Sequence, residues 1–164
     1  MLETMVDAAA TFIEQAQTKR QPHWLSFCGP SGTGKTHLAS AVFSSLKTAF
    51  ADHESLICGA LKFTWPRLLP RLREGAYFLL DDIRDANLVF LDDFGTERPT
   101  EFALEKLYEI IESRSRKWTI LTSNLSAQQI AERMDTRIAS RLIRDGSQVV
   151  DVVAKDFNLR EVTP

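Results

Sequence analysis

The sequence predicts an α/β fold, a mostly parallel sheet with helices on both faces. Three observations carry that prediction. Gly29 to Thr36 read GPSGTGKT, the G-x-x-x-x-G-K-[ST] pattern of a phosphate-binding loop, between a short apolar run and a helical pattern. Leu88-Val89-Phe90-Leu91 is apolar at every residue, as a strand covered on both faces is. Strand-like and helix-like segments alternate along the chain.

Met5, Ala9, Phe12, Ile13 and Ala16 recur at helical spacing, so the chain opens with an amphipathic helix. Residues 18–22 are a polar break before the first strand, residues 24–28. After the loop, Leu38, Val42, Leu46, Ala49 and Phe50 mark the buried face of a second helix. Residues 55–63 predict the second strand, weakened by Gly59. Pro66 starts a short helix ending near Gly75, and Asp81 or Asp82 caps another that reaches Ala86. The third strand is residues 88–91. Residues 96–117 form the clearest helix, with Pro99 early and Leu104, Leu107, Tyr108 and Ile111 on one face. Residues 118–122 are the fourth strand. Ser126 caps a helix to about Met134, with Gln129 placed for a capping box. A further helix at 137–144, stopped by Gly146, leads to a fifth strand at 148–153.

The chain of 164 residues, 44% hydrophobic and 26% charged, is expected to form a single domain, with residues 1–20 as a helix and linker packed on it. A net charge of −2 excludes a globally basic nucleic-acid binder and leaves only local basic surface. No apolar run is long enough to span a bilayer. Residues 1–16, with Glu3, Asp7 and Glu14 and no basic start, do not read as a signal peptide. Cys28 and Cys58 lie in apolar stretches and read as buried reduced thiols, and the histidines show no zinc spacing. The expected setting is cytoplasmic.

The loop assigns chemistry residue by residue. Backbone N–H groups of Gly29, Pro30's neighbours, Ser31, Gly32, Thr33 and Gly34 curl into an anion nest, with His37 in the first turn of the following helix. Lys35 reaches the β- and γ-phosphates of ATP, and the Thr36 hydroxyl ligates Mg²⁺. Such a site needs a carboxylate at a neighbouring strand end. Asp81-Asp82 and Asp92-Asp93 compete for that place. Asp92-Asp93 follows four apolar β-formers and precedes a turn, whereas Asp81-Asp82 runs into a helical pattern. Asp92 is therefore the expected metal ligand and Asp93 the group that orients or deprotonates water, with Glu97 in reserve. Asp93-Phe94-Gly95 also matches a protein-kinase metal motif, but no H-R-D loop accompanies it. Asn124, just past the fourth strand, is placed to sense the γ-phosphate or the lytic water, because carboxyl ends of parallel strands face the ligand crevice.

Arg133, Arg137, Arg141 and Arg144 share one face if their helix is continuous. They read as a solvated basic face or as the source of an arginine finger offered to a neighbouring subunit, Arg141 first and Arg137 second. Lys62, Phe63, Trp65, Arg67, Arg71 and Arg73 form a basic and aromatic cluster. It would suit single-stranded DNA if the aromatics stack, or ordinary core packing if they do not.

GPSGTGKTHLA at 29–39, LVFLDDFGTE at 88–97, ILTSNL at 120–125 and RIASRL at 137–142 together resemble the AAA+ ATPases of the bacterial helicase-loader type (DnaC- and DnaI-like), with the IstB-like transposition helpers beside them. The resemblance implies a P-loop NTPase αβα sandwich with a five-stranded parallel sheet ordered 5-1-4-3-2. It further implies ATP-dependent self-assembly, hydrolysis to ADP and phosphate, and single-stranded DNA. It supports Asn124 as first sensor and Arg141 as finger. A loader's large helicase-binding region and a full helical lid have no counterpart in these residues, and Arg160 is a weak match for a second sensor. The expected function is an ATPase that is slow as a monomer and acts in replication initiation with a helicase. The alternatives are an IstB-like helper, a nucleotide-binding module with little turnover, or a small-molecule kinase. The last would need an acceptor pocket and a lid arginine that the sequence does not display.

Overall fold

The apolar runs form parallel strands: β1 Trp24–Cys28, β2 Ala60–Thr64, β3 Leu88–Asp92, β4 Trp118–Ser123 and β5 Gln148–Asp151. In this computed structural model, residues 2–18, 23–51, 59–95, 100–134, 136–142 and 147–152 are described. All pairings are parallel, in the order β2-β3-β4-β1-β5, the order that the resemblance implied, counted from the other edge. β1, β3 and β4 are buried at every residue, while the edge strands β2 and β5 are part-exposed and carry Lys62 and Asp151. Charged edges of this kind discourage pairing with another chain.

Side-chain alternation divides the sheet between two cores. Leu25, Phe27, Leu88, Phe90, Trp118 and Ile120 face α1 Leu2–Gln17 and α2 Lys35–Ala51, meeting Met5, Phe12, Val42 and Leu46. Trp24, Cys28, Val89, Leu91 and Leu121 face the other layer. That layer holds α3 Trp65–Arg73, α4 Phe78–Asp85, α5 Glu101–Ser113, α6 Ala127–Arg133 and α7 Thr136–Leu142. The N-terminal helix packs against α2, β1 and β5.

Several boundaries differ from the sequence expectation. The described part of the second strand begins at Ala60, and residues 52–58, with Cys58, lie outside the described residues. Asp81 and Asp82 do not cap α4. They sit inside it, because the helix starts at Phe78 with Leu79, Leu80 and Ile83 on its buried face, and Asp81 pairs with Arg84 at 2.7 Å. The helix α5 starts at Glu101, where Thr100 accepts the Ala103 N–H, and ends at Ser113 rather than Lys117. Glu97 and Pro99 lie outside the described residues. The α6 start is as expected: Ser126 and Gln129 form a reciprocal capping box.

The arginines do not share one continuous helix. The α6 helix ends at Arg133 and α7 begins at Thr136, so Arg133 and Arg137 belong to different helices, and Arg144 lies outside the described residues. Trp65 is also corrected: it is 1% exposed, packed among Leu68, Leu69, Leu72 and Phe94, and cannot serve as a stacking platform. Burial of about 200 Å² of indole wins over any surface role.

Candidate active site

The loop between β1 and α2 opens at the carboxyl end of the sheet. Gly29 sits where no other residue fits: its φ is 126°, and a Cβ there would lie 2.3 Å from the Val152 carbonyl oxygen. Its N–H donates to the Leu125 carbonyl at 3.1 Å, tying the loop to the segment that follows β4. A cleft of about 520 Å³ opens over residues 31–37, with Ser40, Asp93 and Asn124 completing its wall. Gly29 and Pro30 do not line it, although the Pro30 carbonyl accepts from the Lys35 Nζ. The exposed His37 lines the cleft at the start of α2.

Lys35 is 4% exposed. Its Nζ donates to the Pro30 carbonyl at 2.5 Å and to Thr33 Oγ1 at 3.3 Å. Burial holds its pKa below the ordinary lysine value, while the charges of Asp93, Cys28 and Asp92 act in the opposite direction. The cation is thus kept poorly hydrated at the cleft, which strengthens its attraction for an anion.

Thr36 Oγ1 donates to Asp92 Oδ1 at 2.9 Å, joining the loop to the end of β3. Asp92 is 7% exposed, and the same oxygen also accepts the Thr122 hydroxyl at 2.6 Å. A hydroxyl and a carboxylate side by side at the phosphate loop are hard oxygen ligands suited to Mg²⁺, so the residues fit that ion. Asp93, half-buried, takes φ 55°, and Asn124 Nδ2 donates to Asp93 Oδ1 at 3.1 Å. Gly95 follows with φ 71°, and a Cβ there would lie 1.6 Å from the Met134 Cε, so the turn after β3 is pressed against the end of α6.

The structure therefore brings Lys35, Thr36, Asp93 and Asn124 to one cleft, with Asp92 bonded to Thr36, and leaves Asp81 and Asp82 out of it. Arg141 stands apart from it. Its Nε pairs with Glu112, its Nη2 donates to Tyr108 Oη at 2.9 Å, and its guanidinium lies 4.7 Å from the Tyr108 ring centre. Arg137 is exposed, 5.7 Å from the same ring. Arg160 lies outside the described residues. Sequence reasoning missed Thr122 and Ser40. Thr122 had one available signal, its place directly before Ser123-Asn124 at the end of the fourth strand.

A five-stranded parallel sheet in this order, with the phosphate loop after β1 and the carboxylate after β3, settles the architecture. The fold is that of an AAA+ P-loop ATPase. The crystal structure of the DnaC helicase loader superposes with a TM-score of 0.72 over 88% of this chain and 86% of that one, at 23% identity. By sequence, the chain is 36% identical over 103 residues to the insertion sequence ATP-binding protein y4pL of Sinorhizobium fredii (strain NGR234), covering 62% of this chain and 41% of that protein. It is 35% identical over 114 residues to the ATP-binding protein of insertion sequence IS1162 of Pseudomonas fluorescens, covering 65% and 46%. The chain thus spans less than half the length of either relative. No protein-family model matches it. Among the described residues of this AAA+ fold, no helix is long and apolar enough to cross a membrane.

Proposed function

We propose that the chain binds and hydrolyses ATP, and that it works as an assembling AAA+ helper of a DNA-acting protein, of the kind insertion sequences encode. The carrying observation is the 2.9 Å hydrogen bond from Thr36 to Asp92, which unites the phosphate loop and the acidic strand end beside Lys35. The identity to two insertion sequence ATP-binding proteins favours the IstB-like reading. The likeness to the DnaC helicase loader, a likeness of fold, keeps replication initiation with a helicase as a second reading.

In the proposed reaction the triphosphate lies along residues 31–37, with loop N–H groups and Lys35 holding its oxygens. Thr36 and Asp92 would hold Mg²⁺, which supplies positive charge to the β- and γ-oxygens when bound. Asp93 orients a water and accepts its proton as the oxygen attacks the γ-phosphorus. The bond to the ADP oxygen breaks and phosphate leaves. Asn124, bonded to Asp93 at 3.1 Å, keeps that carboxylate aimed. An arginine from a second copy would complete the site, worth roughly 10³–10⁵ in rate. Arg141 would have to leave Glu112 and Tyr108 to serve, and Arg137 on the same helix is the alternative.

Single-stranded DNA is the proposed activating polymer. Lys62, Arg67 and Arg71 are exposed. With Trp65 buried, the aromatics available to bases are Tyr77 and Phe78, 50% and 58% exposed, just after α3.

The test is the ATPase rate per protomer against protein concentration, with and without single-stranded DNA, for the wild type and for Arg141→Ala. The wild type should accelerate with concentration and the variant should not. A near-zero rate throughout would leave only a nucleotide-binding module. Acceleration of both proteins alike would move the finger to Arg137.

A further inference from the structure

Thr122, Ser123 and Asn124, at the end of β4 and the residue after it, are fastened to the three residues at the end of β3 and the turn after it. Thr122 Oγ1 donates to Asp92 Oδ1 at 2.6 Å and accepts the Asp93 N–H at 3.0 Å, and its carbonyl accepts the Phe94 N–H at 2.8 Å. Ser123 Oγ donates to the Phe94 carbonyl at 2.8 Å, and Asn124 Nδ2 to Asp93 at 3.1 Å. Thr122 stands at the centre of this set and is 1% exposed.

A hydroxyl carries one proton and two lone pairs, so it can face a carboxylate and an N–H together. Both partners matter to the cleft. Asp92 Oδ1 takes the Thr36 and Thr122 hydroxyls, which sets the rotation of the carboxylate. The Asp93 N–H belongs to a residue at φ 55°, a conformation that costs a non-glycine residue energy and persists only when its surroundings impose it. The same hydroxyl accepts the N–H of that residue, and so is one of the contacts that hold the turn.

We propose that Thr122 is a positioning residue for the metal–nucleotide site: its hydroxyl fixes the Asp92 carboxylate and the left-handed turn at Asp93 in the arrangement that receives Mg²⁺. The inference rests on reading the cleft as a Mg²⁺–ATP site. Partners that orient a metal-binding carboxylate typically contribute about 10–100-fold in metal affinity when removed.

The experiment titrates Mg²⁺ into the full chain with a fluorescent, non-hydrolysable ATP analogue, alongside the same titration of analogue in chelator. The wild type must bind the analogue more tightly with Mg²⁺; if it does not, the reading of the cleft fails and this inference falls with it. Given that response, Thr122→Val should raise the half-saturating Mg²⁺ concentration about 10-fold or more while the affinity in chelator stays at the wild-type value. Thr122→Ser, which keeps the hydroxyl, should return to the wild-type Mg²⁺ dependence. A Val variant with wild-type Mg²⁺ dependence overturns the inference, as does a Ser variant shifted as far as Val. Circular dichroism checks the fold of each, and Thr122→Ala carries the same comparison if the Val variant does not fold.

Discussion

Lys35 and Arg114 are both buried cations on one parallel sheet, at its opposite ends, and they are held in different ways. Lys35 follows the carboxyl end of β1 and has two acceptors from its own loop, with the cleft open above it. Arg114 sits at the amino end, just before β4, and is 0% exposed. Its Nε donates to Thr119 Oγ1 at 3.2 Å, its Nη1 to the carbonyls of Ile83 and Ala86, and its Nη2 to the Trp118 carbonyl at 2.5 Å. Burial pushes its pKa down to about 9, which leaves it charged at neutral pH. Four of its five N–H groups are thus spent on the end of α4 and the start of β4. A cation whose donors go to main-chain carbonyls and a strand hydroxyl, with no cleft beside it, holds a fold together; one with a donor left over beside a cleft is set to hold a ligand.

The largest expected effect breaks the fastening at the amino end. Arg114→Met leaves the Ile83, Ala86 and Trp118 carbonyls without their donor in a dry interior, and should cost about 3–5 kcal/mol of stability. For a chain of this size that is a fall in melting temperature of roughly 10–15 °C. Calorimetry checks it, and a variant melting with the wild type would remove Arg114 from this role.

Next comes Lys35→Met, which should lower turnover about 10²–10³-fold by removing charge stabilisation from the transferring phosphoryl group. The same change should leave the melting temperature unchanged or slightly higher. The depressed pKa of Lys35 means that burying it charged costs stability below that pKa, and methionine removes the cost. Loss of stability like that of Arg114→Met would erase the distinction between the two cations.

The contrast also explains what the sequence could show. Lys35, Thr36 and Asp92 lie in local patterns whose spacing carries the chemistry, so each was legible before any fold was known. The sheet order came through resemblance, since strand neighbours are not local. Arg114 was not legible: its acceptors come from α4, the turn after it and β4, and within Arg114-Ser115-Arg116-Lys117 it reads as one more solvated charge at a helix end. Thr122 was hidden differently. A threonine suits a strand on propensity alone, and only pairing with β3 places its hydroxyl on Asp92. Trp65 was left open between stacking and core packing, because a basic neighbourhood in sequence says nothing of which way a ring turns. The arginine run required a continuous helix, and the break between α6 and α7 removed that premise.

A smaller effect separates the buried neutral group beneath the loop from the two cations. Cys28 is 0% exposed, and its thiol is pushed from 9.0 up to about 12, chiefly by burial and further by the charge of Asp151, against the opposing pull of Lys35. Below pH 9 the thiol is protonated in the folded and unfolded chain alike and contributes no pH dependence. Between pH 9 and about 12 the unfolded thiol ionises while the folded one keeps its proton. The folded state then binds more protons, and stability falls by about 1.4 kcal/mol per pH unit through this window. Cys28→Ala loses packing at every pH and, having no thiol, lacks this slope. Denaturant titrations of both proteins from pH 8 to 11 should therefore show a gap that is constant below pH 9 and narrows above it. A gap that stays constant to pH 11 would mean that the thiol ionises as easily inside as outside, and that the floor of the phosphate loop is wetter than its burial indicates.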